Sequence, residues 1–174
     1  MTRPDPNAGV FNTDGGIHEI PLPGVTGRLW LCGKHHIAPD PEGVRAARGI
    51  DTVVCLVRRH ELEDRYDDYI DWLAAGTGGH AVWRPIDDLT YPAFDDVIDF
   101  VDDLTARVRT GESLVVHCAA GIGRAGTTAV AMAMMLGMST HEALAHVRAH
   151  RPSAGPEAGD QTGFINELHT FLHQ

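Results

Sequence analysis

Basic residues are scarce in this chain of 174 residues, where acidic residues outnumber them by 24 to 14 and the formal charge is −10. A chain with this balance repels polyanions, so we expect no broad interaction with nucleic acid or with an anionic membrane surface. Lys34 is the only lysine, and arginine supplies nearly all the positive charge. Any anion site must therefore be local and built from a few groups.

Long apolar runs and a charged-then-apolar leader are also lacking. No run is long enough to cross a bilayer, and the chain opens with a polar stretch that contains prolines. The three cysteines, Cys32, Cys55 and Cys118, do not form an even-numbered disulfide framework. These patterns predict a soluble, cytoplasmic protein with no membrane partner and with reduced thiols.

The length and the 43% hydrophobic content predict one compact domain over residues 15–174, preceded by a flexible arm over residues 1–14. Apolar strand patterns alternate with amphipathic helix patterns along the chain. The predicted strands are 28–32, 51–57, 80–84 and 113–117, and the predicted helices are 41–48, 61–75, 92–109, 127–136, 139–150 and 161–174. This order predicts an α/β fold whose central, mostly parallel sheet is flanked by helices.

The most informative segment, His117–Thr127, places a cysteine and an arginine six positions apart around a glycine-rich turn. The turn joins a predicted strand to a predicted helix, where free N–H groups and the helix dipole favour an anion. Arg124 can add a two-pronged hydrogen bond to the bound group. The segment predicts a site for phosphate or a similar oxyanion, formed by Ala119, Ala120, Gly121, Ile122, Gly123 and Arg124.

Cys118 lies at the floor of this predicted cradle. The N–H dipoles and the neighbouring guanidinium favour its thiolate, which is a nucleophile when it faces bound phosphate. The ordinary alternative is an inert buried cysteine in a glycine-containing loop, which the strand before and the helix after disfavour. We expect His117 to orient the cradle through a hydrogen bond from its ring to the loop backbone.

Cleavage of a phosphate ester also requires a proton for the departing oxygen. Asp87 and Asp88 lie in a proline-bounded loop that follows a predicted strand, so either carboxyl group could face the cradle. Aspartates in such places more often serve as turn or helix-start residues. From the residues alone, the choice between these roles stays open.

The remaining histidines and cysteines suggest no metal or cofactor. Histidine pairs four residues apart on predicted helices can bind a metal but usually belong to an exposed surface. Cys32 and Cys55 are expected in the core, although either could trap an oxidised Cys118 as a disulfide. We therefore expect metal-independent chemistry.

The chain resembles the cysteine-dependent protein tyrosine and dual-specificity phosphatases, whose loop signature is matched by His117, Cys118 and Arg124. Within that superfamily it is similar to the cyclin-dependent kinase-associated phosphatase group. The segments that carry this similarity follow the same order in the chain: Arg59–Leu62, Pro85–Asp88 with Pro92, the cradle, Asp160–Thr162 and Leu168–Phe171.

The resemblance implies a phosphatase that hydrolyses phosphotyrosine in proteins through a phosphocysteine intermediate, with phosphoserine and phosphothreonine as further substrates of a shallower pocket. It implies that Asp88 is the general acid and that Gln161 assists the attacking water. Ala125 stands where the family has serine or threonine, as in the phosphatases of regenerating liver, which turn over slowly. The alternatives are a phosphoprotein-binding module and, less favoured, a sulfur-transfer or arsenate-reducing enzyme.

Overall fold

A computed structural model describes residues 16–157 and 159–174 of the chain. The predicted flexible arm, residues 1–14, lies outside the described residues. The strands are β1 (Ile17–Ile20), β2 (Leu29–Gly33), β3 (Thr52–Cys55), β4 (Ala81–Trp83) and β5 (Leu114–Cys118). The helices are α1 (Lys34–Ile37), α2 (Pro41–Arg48), α3 (Asp67–Gly76), α4 (Phe94–Arg109), α5 (Gly123–Met135), α6 (Thr140–His150) and α7 (Gly159–Leu172), with a 3-10 turn at Arg59–Glu61.

The strands form one sheet in the order β1-β2-β5-β3-β4. The pairings of β2, β5, β3 and β4 are parallel, and β1 joins β2 antiparallel at the edge. The predicted α/β fold with a mostly parallel sheet is confirmed. Because β5 is the middle strand, its carboxyl end is flanked by two parallel neighbours, which is where ligands bind in such sheets.

The chain crosses the sheet in one direction from β2 through β3 to β4 and then returns to β5. Right-handed crossovers therefore place α2 and α3 on one face and α4 on the other. Helix α5 packs on β5 and contacts α4, α6 and α7. Its residues from Gly123 to Met134 are all buried, so the helix that begins at the cradle also forms the centre of one core layer.

Four elements differ from the sequence-based prediction, and one of them is the short helix α1, which the prediction lacks. Strand β1 is missing from it, because four residues with two polar side chains show no clear alternation. The helix predicted over 61–75 begins only at Asp67, because Asp64 adopts a left-handed backbone with φ 66° that a helix cannot include. Helix α5 begins at Gly123, four residues before the predicted start, which places Arg124 in its first turn.

The described helices include none that is both long and apolar enough to cross a membrane.

Candidate active site

Cys118 is the last residue of β5 and is 3% exposed. Gly33, at the end of β2, stands opposite it in the parallel register. A Cβ atom on Gly33 would lie 2.9 Å from the Ala119 carbonyl oxygen, so the glycine allows the loop after Cys118 to pass close to β2. The sheet thus presents one thiol at the carboxyl edge of its central strand.

Backbone donors hold the first and last carbonyl groups of the loop. The Ala119 carbonyl accepts from the Lys34 N–H at 3.0 Å, at the start of α1. The Ile122 carbonyl accepts from the Gly126 N–H at 3.0 Å and from the Gly155 N–H at 3.1 Å. Both ends of the loop are therefore fixed by elements that surround β5.

The side chain of Arg151 holds the two carbonyl groups between them. Its Nη2 donates to the Ala120 carbonyl at 2.8 Å, and its Nε donates to the Gly121 carbonyl at 2.7 Å. Arg151 is completely buried, so these bonds form away from water, where a lost partner costs most. In the sequence-based prediction Arg151 falls between helices 139–150 and 161–174 and has no role.

The bonds to the carbonyl groups determine where the loop's N–H groups point. In a trans peptide the C=O of one residue and the N–H of the next are directed oppositely, and no described peptide bond is cis. Four consecutive N–H groups therefore point away from these donors, those of Ala120, Gly121, Ile122 and Gly123. Such a run of N–H groups at a helix start has the arrangement in which backbone donors bind anions.

Gly121 provides the turn that the cradle requires. Its φ is +71°, a region that side chains other than glycine rarely adopt. A Cβ atom there would also overlap the backbone carbonyl of Cys32. Both the conformation and the close approach to β2 therefore require glycine.

Arg124 is 1% exposed and is oriented by Glu61 and Ile86. Its Nη1 and Nη2 donate to the two carboxylate oxygens of Glu61 at 2.8 and 2.9 Å, and Nη1 also donates to the Ile86 carbonyl at 2.8 Å. Its Nε is buried and has no hydrogen-bond partner among the described residues. A buried charged donor of this kind, beside the cradle, suits a bound oxyanion.

Glu61 is the carboxylate that fixes this guanidinium. Burial raises its pKa, but hydrogen bonds from Arg124 and from the Arg58 N–H outweigh that effect and leave the pKa below its usual range. Glu61 is therefore ionised and keeps the arginine in one orientation. The predicted helix over 61–75 gives Glu61 no such role.

The two neighbouring aspartates have different partners. Asp87 forms a bidentate pair with Arg58 at 2.6 and 2.9 Å, and this hydrogen bond lowers the pKa of the Asp87 carboxyl. The Oδ1 of Asp88 lies 3.3 Å from Nη2 of Arg124 and accepts the Leu89 N–H at 3.0 Å. The Asp88 side chain is 66% exposed, so it lies at the boundary between the cradle and solvent.

His117 is completely buried beneath the cradle. Its Nδ1 lies 3.2 Å from the Cys118 carbonyl oxygen and its Nε2 lies 2.7 Å from the Tyr69 hydroxyl. Because a carbonyl only accepts, Nδ1 carries the hydrogen and Nε2 accepts from Tyr69. Burial lowers the pKa of His117 to about 4, which keeps the ring neutral at physiological pH.

Gln161 is completely buried and connects three parts of the site. Its Oε1 accepts from the Glu157 N–H at 2.8 Å and from Thr127 Oγ1 at 3.4 Å. Its Nε2 donates to the Thr90 carbonyl at 3.4 Å, in the loop that carries Asp88. Gln161 also borders Gly123, where a Cβ atom would lie 3.1 Å from Nε2 and would overlap the carboxylate of Glu157.

Comparison with known proteins agrees with this geometry. Residues 31–162 match the family described as the Swiss Army Knife protein, DSP-PTPase phosphatase domain. The chain belongs to this dual-specificity phosphatase domain family. The resemblance seen in the sequence is thus confirmed at the level of the family, and a sulfur-transfer or arsenate-reducing enzyme has no support.

Individual relatives extend the comparison. Dual specificity protein phosphatase 1 of Arabidopsis thaliana is 42% identical over 76 residues, which cover 43% of this chain and 35% of that protein. The chain thus spans about a third of that relative's length. The crystal structure of Tk-PTP in its active form has a TM-score of 0.65 and 29% identity, covering 87% of this chain and 96% of that one.

Kinase associated phosphatase, solved with its catalytic-site cysteine replaced by serine, has a TM-score of 0.75 and 21% identity over 90% of this chain and 95% of that one. At this identity the comparison concerns the fold. The predicted similarity to the cyclin-dependent kinase-associated group is therefore confirmed for the fold.

The residue after Arg124 is Ala125, which lacks the hydroxyl group of the serine or threonine expected from the family resemblance. Ala125 is completely buried in the first turns of α5. The nearby threonines do not replace the missing group, because Thr127 donates to Gln161 and Thr128 donates to the Arg124 carbonyl at 2.9 Å. The described residues therefore offer no evident substitute for a serine or threonine at position 125.

Three residues near the cradle have positions that do not follow from the sequence patterns. Glu61 holds the guanidinium of Arg124, and Arg151 holds the loop carbonyls. Glu157 places its carboxylate against Gly123. The sequence offered two usable signals: the segment Arg59–Leu62, which contains Glu61 and carries part of the family resemblance, and an arginine directly before a proline at the end of a helix pattern. The other contacts join segments far apart in the chain.

Proposed function

We propose that the chain is a metal-independent phosphomonoesterase that hydrolyses phosphotyrosine in proteins, with phosphoserine and phosphothreonine as further substrates. We propose a cytoplasmic setting, because a thiolate nucleophile needs a reducing compartment. The cradle would bind the phosphate group of the substrate, and Cys118, Arg124 and Asp88 would carry the chemistry.

In the first step the Cys118 thiolate attacks phosphorus in line with the departing oxygen. The S–P bond forms as the P–O bond of the ester breaks, and Asp88 donates its proton to that oxygen. Arg124 and the four loop N–H groups hold the other phosphate oxygens and stabilise the charge that develops on them.

In the second step water hydrolyses the phosphocysteine. Asp88, now ionised, accepts a proton from the water as its oxygen bonds to phosphorus, and the S–P bond breaks to restore the thiolate and release phosphate. Gln161 lies beside Gly123 and next to the Asp88 loop, which supports a role in placing this water.

One observation carries the proposal. A buried arginine with an unpartnered Nε and four N–H groups that point away from the donors of the loop carbonyls follow directly after a cysteine at the end of the central strand. Arg45 and Arg48 also have a buried Nε without a partner, but of these three arginines only Arg124 belongs to the loop that carries the N–H groups. A tetrahedral oxyanion satisfies the Nε of Arg124 and the N–H groups together.

The decisive experiment measures hydrolysis of para-nitrophenyl phosphate and of a phosphotyrosine peptide by wild type and Cys118→Ser, with and without EDTA. We expect the variant to lose at least about 1000-fold in turnover, because a serine hydroxyl is not ionised at neutral pH. Cys55→Ser is the matched control for loss of a buried thiol. Full activity in Cys118→Ser, or activity abolished by EDTA, would contradict the proposal.

A phosphoprotein-binding module is the second candidate, favoured by the buried alanine at position 125. Without a hydroxyl to assist the departing thiolate, phosphocysteine would accumulate. Rapid mixing then gives a burst of leaving group followed by almost no turnover, and Ala125→Ser restores steady hydrolysis. Sustained turnover by the wild type would rule this candidate out.

A further inference from the structure

The turn that carries Asp88 lies between two buried residues, Ile86 and Tyr91. The turn covers residues 87–90 and is closed by a backbone hydrogen bond of 3.2 Å between its first and last residues. The Asp88 side chain is exposed, whereas Ile86 and Tyr91 are only 2% and 5% exposed. The position of the Asp88 carboxyl group therefore depends on how the two flanking residues are fixed.

Ile86, before the turn, is fixed by the side chain of Arg124. The Ile86 carbonyl accepts from Nη1 of Arg124 at 2.8 Å. Its N–H donates at 2.9 Å to the carbonyl of Leu56, directly after β3. Because Arg124 is also the proposed ligand of the phosphate oxygens, this contact places the start of the turn beside the phosphate site.

Tyr91, after the turn, is connected through its hydroxyl group to the backbone of the same arginine. The hydroxyl lies 2.8 Å from Thr128 Oγ1, which lies 2.9 Å from the Arg124 carbonyl oxygen. A carbonyl only accepts, so Thr128 donates its one hydrogen to Arg124 and accepts from Tyr91. Burial raises the pKa of Tyr91, which keeps its hydroxyl protonated and able to donate.

The ring of Tyr91 has a second contact that does not involve the hydroxyl. Its centroid lies 4.7 Å from that of Phe164 in α7. Phenylalanine at position 91 would keep this ring contact and would lose only the hydrogen bond to Thr128. The contribution of that hydrogen bond can therefore be measured without unpacking the core.

We propose that Tyr91 is a positioning residue that holds Asp88 where it can protonate the departing oxygen. This inference rests on the proposed function, in which Asp88 is the general acid. Both flanks of the turn are tied to Arg124, which keeps the acid at a fixed distance from it, 3.3 Å between Asp88 Oδ1 and Arg124 Nη2. Proton transfer requires the acid within hydrogen-bond reach of the departing oxygen, so loss of one tie lowers its efficiency.

The test compares kcat/KM of wild type and Tyr91→Phe for phenyl phosphate and para-nitrophenyl phosphate. Phenoxide leaves poorly without a proton, whereas para-nitrophenoxide leaves well, so the first ester depends more strongly on the acid. We expect kcat/KM to fall about fivefold to tenfold for phenyl phosphate, the effect of losing one hydrogen bond, and less than about twofold for para-nitrophenyl phosphate. Inhibition by inorganic phosphate should not change, because the cradle is unaltered.

The ratio kcat/KM is the suitable measure because it covers the steps up to cleavage of the P–O bond. Slow hydrolysis of the phosphocysteine, as expected from Ala125, does not enter it.

Variants of Thr128 and Tyr66 are the matched controls. Thr128→Val breaks the same connection from its other side and should reproduce the selective loss, which tests the inference even where Tyr91→Phe does not fold. Thr128→Ser keeps a hydroxyl group and should retain the wild-type ratio of the two esters. Tyr66→Phe also removes a hydrogen-bonded phenol hydroxyl, 2.7 Å from Nδ1 of His35, but lies outside the segment that carries Asp88 and should leave that ratio unchanged.

Equal losses for the two esters, weaker inhibition by phosphate, or the same selective loss in Tyr66→Phe or Thr128→Ser would each overturn the inference. Asp88→Asn separates this failure from a failure of the proposed function. Selective loss of phenyl phosphate hydrolysis in Asp88→Asn but not in Tyr91→Phe contradicts only the role of Tyr91. A wild type that hydrolyses neither ester contradicts the proposed function and the inference together.

Discussion

The cradle and the turn that carries Asp88 face the same site but are built in opposite ways. Cys118 and Arg124 are 3% and 1% exposed, and the carbonyl groups between them are tied to α1, α5 and Arg151. The Asp88 side chain is 66% exposed, and its turn is held by the Arg58 pair and by one amide bond from Gln161. The proposed phosphate-binding part belongs to the core, whereas the proposed acid lies on the surface.

Because of this difference, substitutions in the two regions should affect stability and catalysis to different extents. Preorganised N–H donors stabilise developing charge only where the backbone cannot relax. The hydrogen bonds that orient the loop are therefore buried. A general acid must exchange protons with solvent and substrate, so exposure suits it. Changes in the cradle should therefore affect folding and activity together, and changes in the turn should affect activity alone.

The largest effect is expected from Arg151→Met. The substitution leaves the carbonyl groups of Ala120 and Gly121 buried without donors, which should lower the free energy of unfolding by about 4 kcal/mol. Phosphate inhibition should weaken in parallel, because two N–H groups lose their orientation. Urea denaturation with the exposed Arg148→Met as control measures this. A stable, fully active Arg151→Met protein would contradict the supporting role of Arg151.

Asp88→Asn tests the other side of the comparison. Its kcat should fall by roughly 100-fold or more, because the departing oxygen loses its proton donor, with little change in the melting temperature. Asp87→Asn is the natural control, since it breaks only the exposed pair with Arg58 and should change stability little. Equal losses of kcat in the two variants, measured by steady-state kinetics, would contradict the assignment of Asp88 rather than Asp87 as the acid.

The buried His117 predicts a pH effect on stability. An unfolded chain binds a proton at this ring below a pKa of about 6.5, whereas the folded chain does so only near 4. Stability contributed by the neutral ring is therefore present above pH 6.5 and is lost as the pH falls toward 4, by up to about 3 kcal/mol.

Unfolding measured between pH 7.5 and 4.5 should show this loss in the wild type and a smaller loss in His117→Gln. The glutamine variant is expected to be less stable at neutral pH, because the hydrogen bonds to Tyr69 and to the Cys118 carbonyl are disturbed. Identical pH slopes in the two proteins would assign the acid sensitivity to other groups.

The smallest effect concerns the turn inside the cradle. Gly121→Ala has two costs, the strain of a positive φ and the overlap of the new Cβ atom with the Cys32 carbonyl. Gly24→Ala has only the first cost, because Gly24 has a similar φ of +69° and no atom within 4 Å of an added Cβ. We expect Gly121→Ala to be less stable than Gly24→Ala by about 2 kcal/mol and to lose activity. Equal stabilities would show that β2 and the cradle can separate without cost.

Prediction from sequence succeeded where the signal was contiguous. The strand, glycine turn and apolar helix around Cys118 lie within a few residues of one another, so local patterns were enough to predict this strand–loop–helix unit, and the alternation of strands and helices predicted the sheet. Helix 61–75 was wrong in its first turns, because the left-handed Asp64 and the pairing of Glu61 with Arg124 override helix propensity there.

The sequence by itself determined the family, the alternating α/β order and the strand–loop–helix unit that carries Cys118 and Arg124, because those depend on short-range periodicity and on spacing within one loop. Only the tertiary structure decided which aspartate meets Arg124, which acid orients that arginine and which buried arginine holds the loop. The physical reason is distance along the chain. Arg151 lies 30 residues from Gly121 and Glu61 lies 63 residues from Arg124, so these contacts exist only after the sheet and its helices have packed.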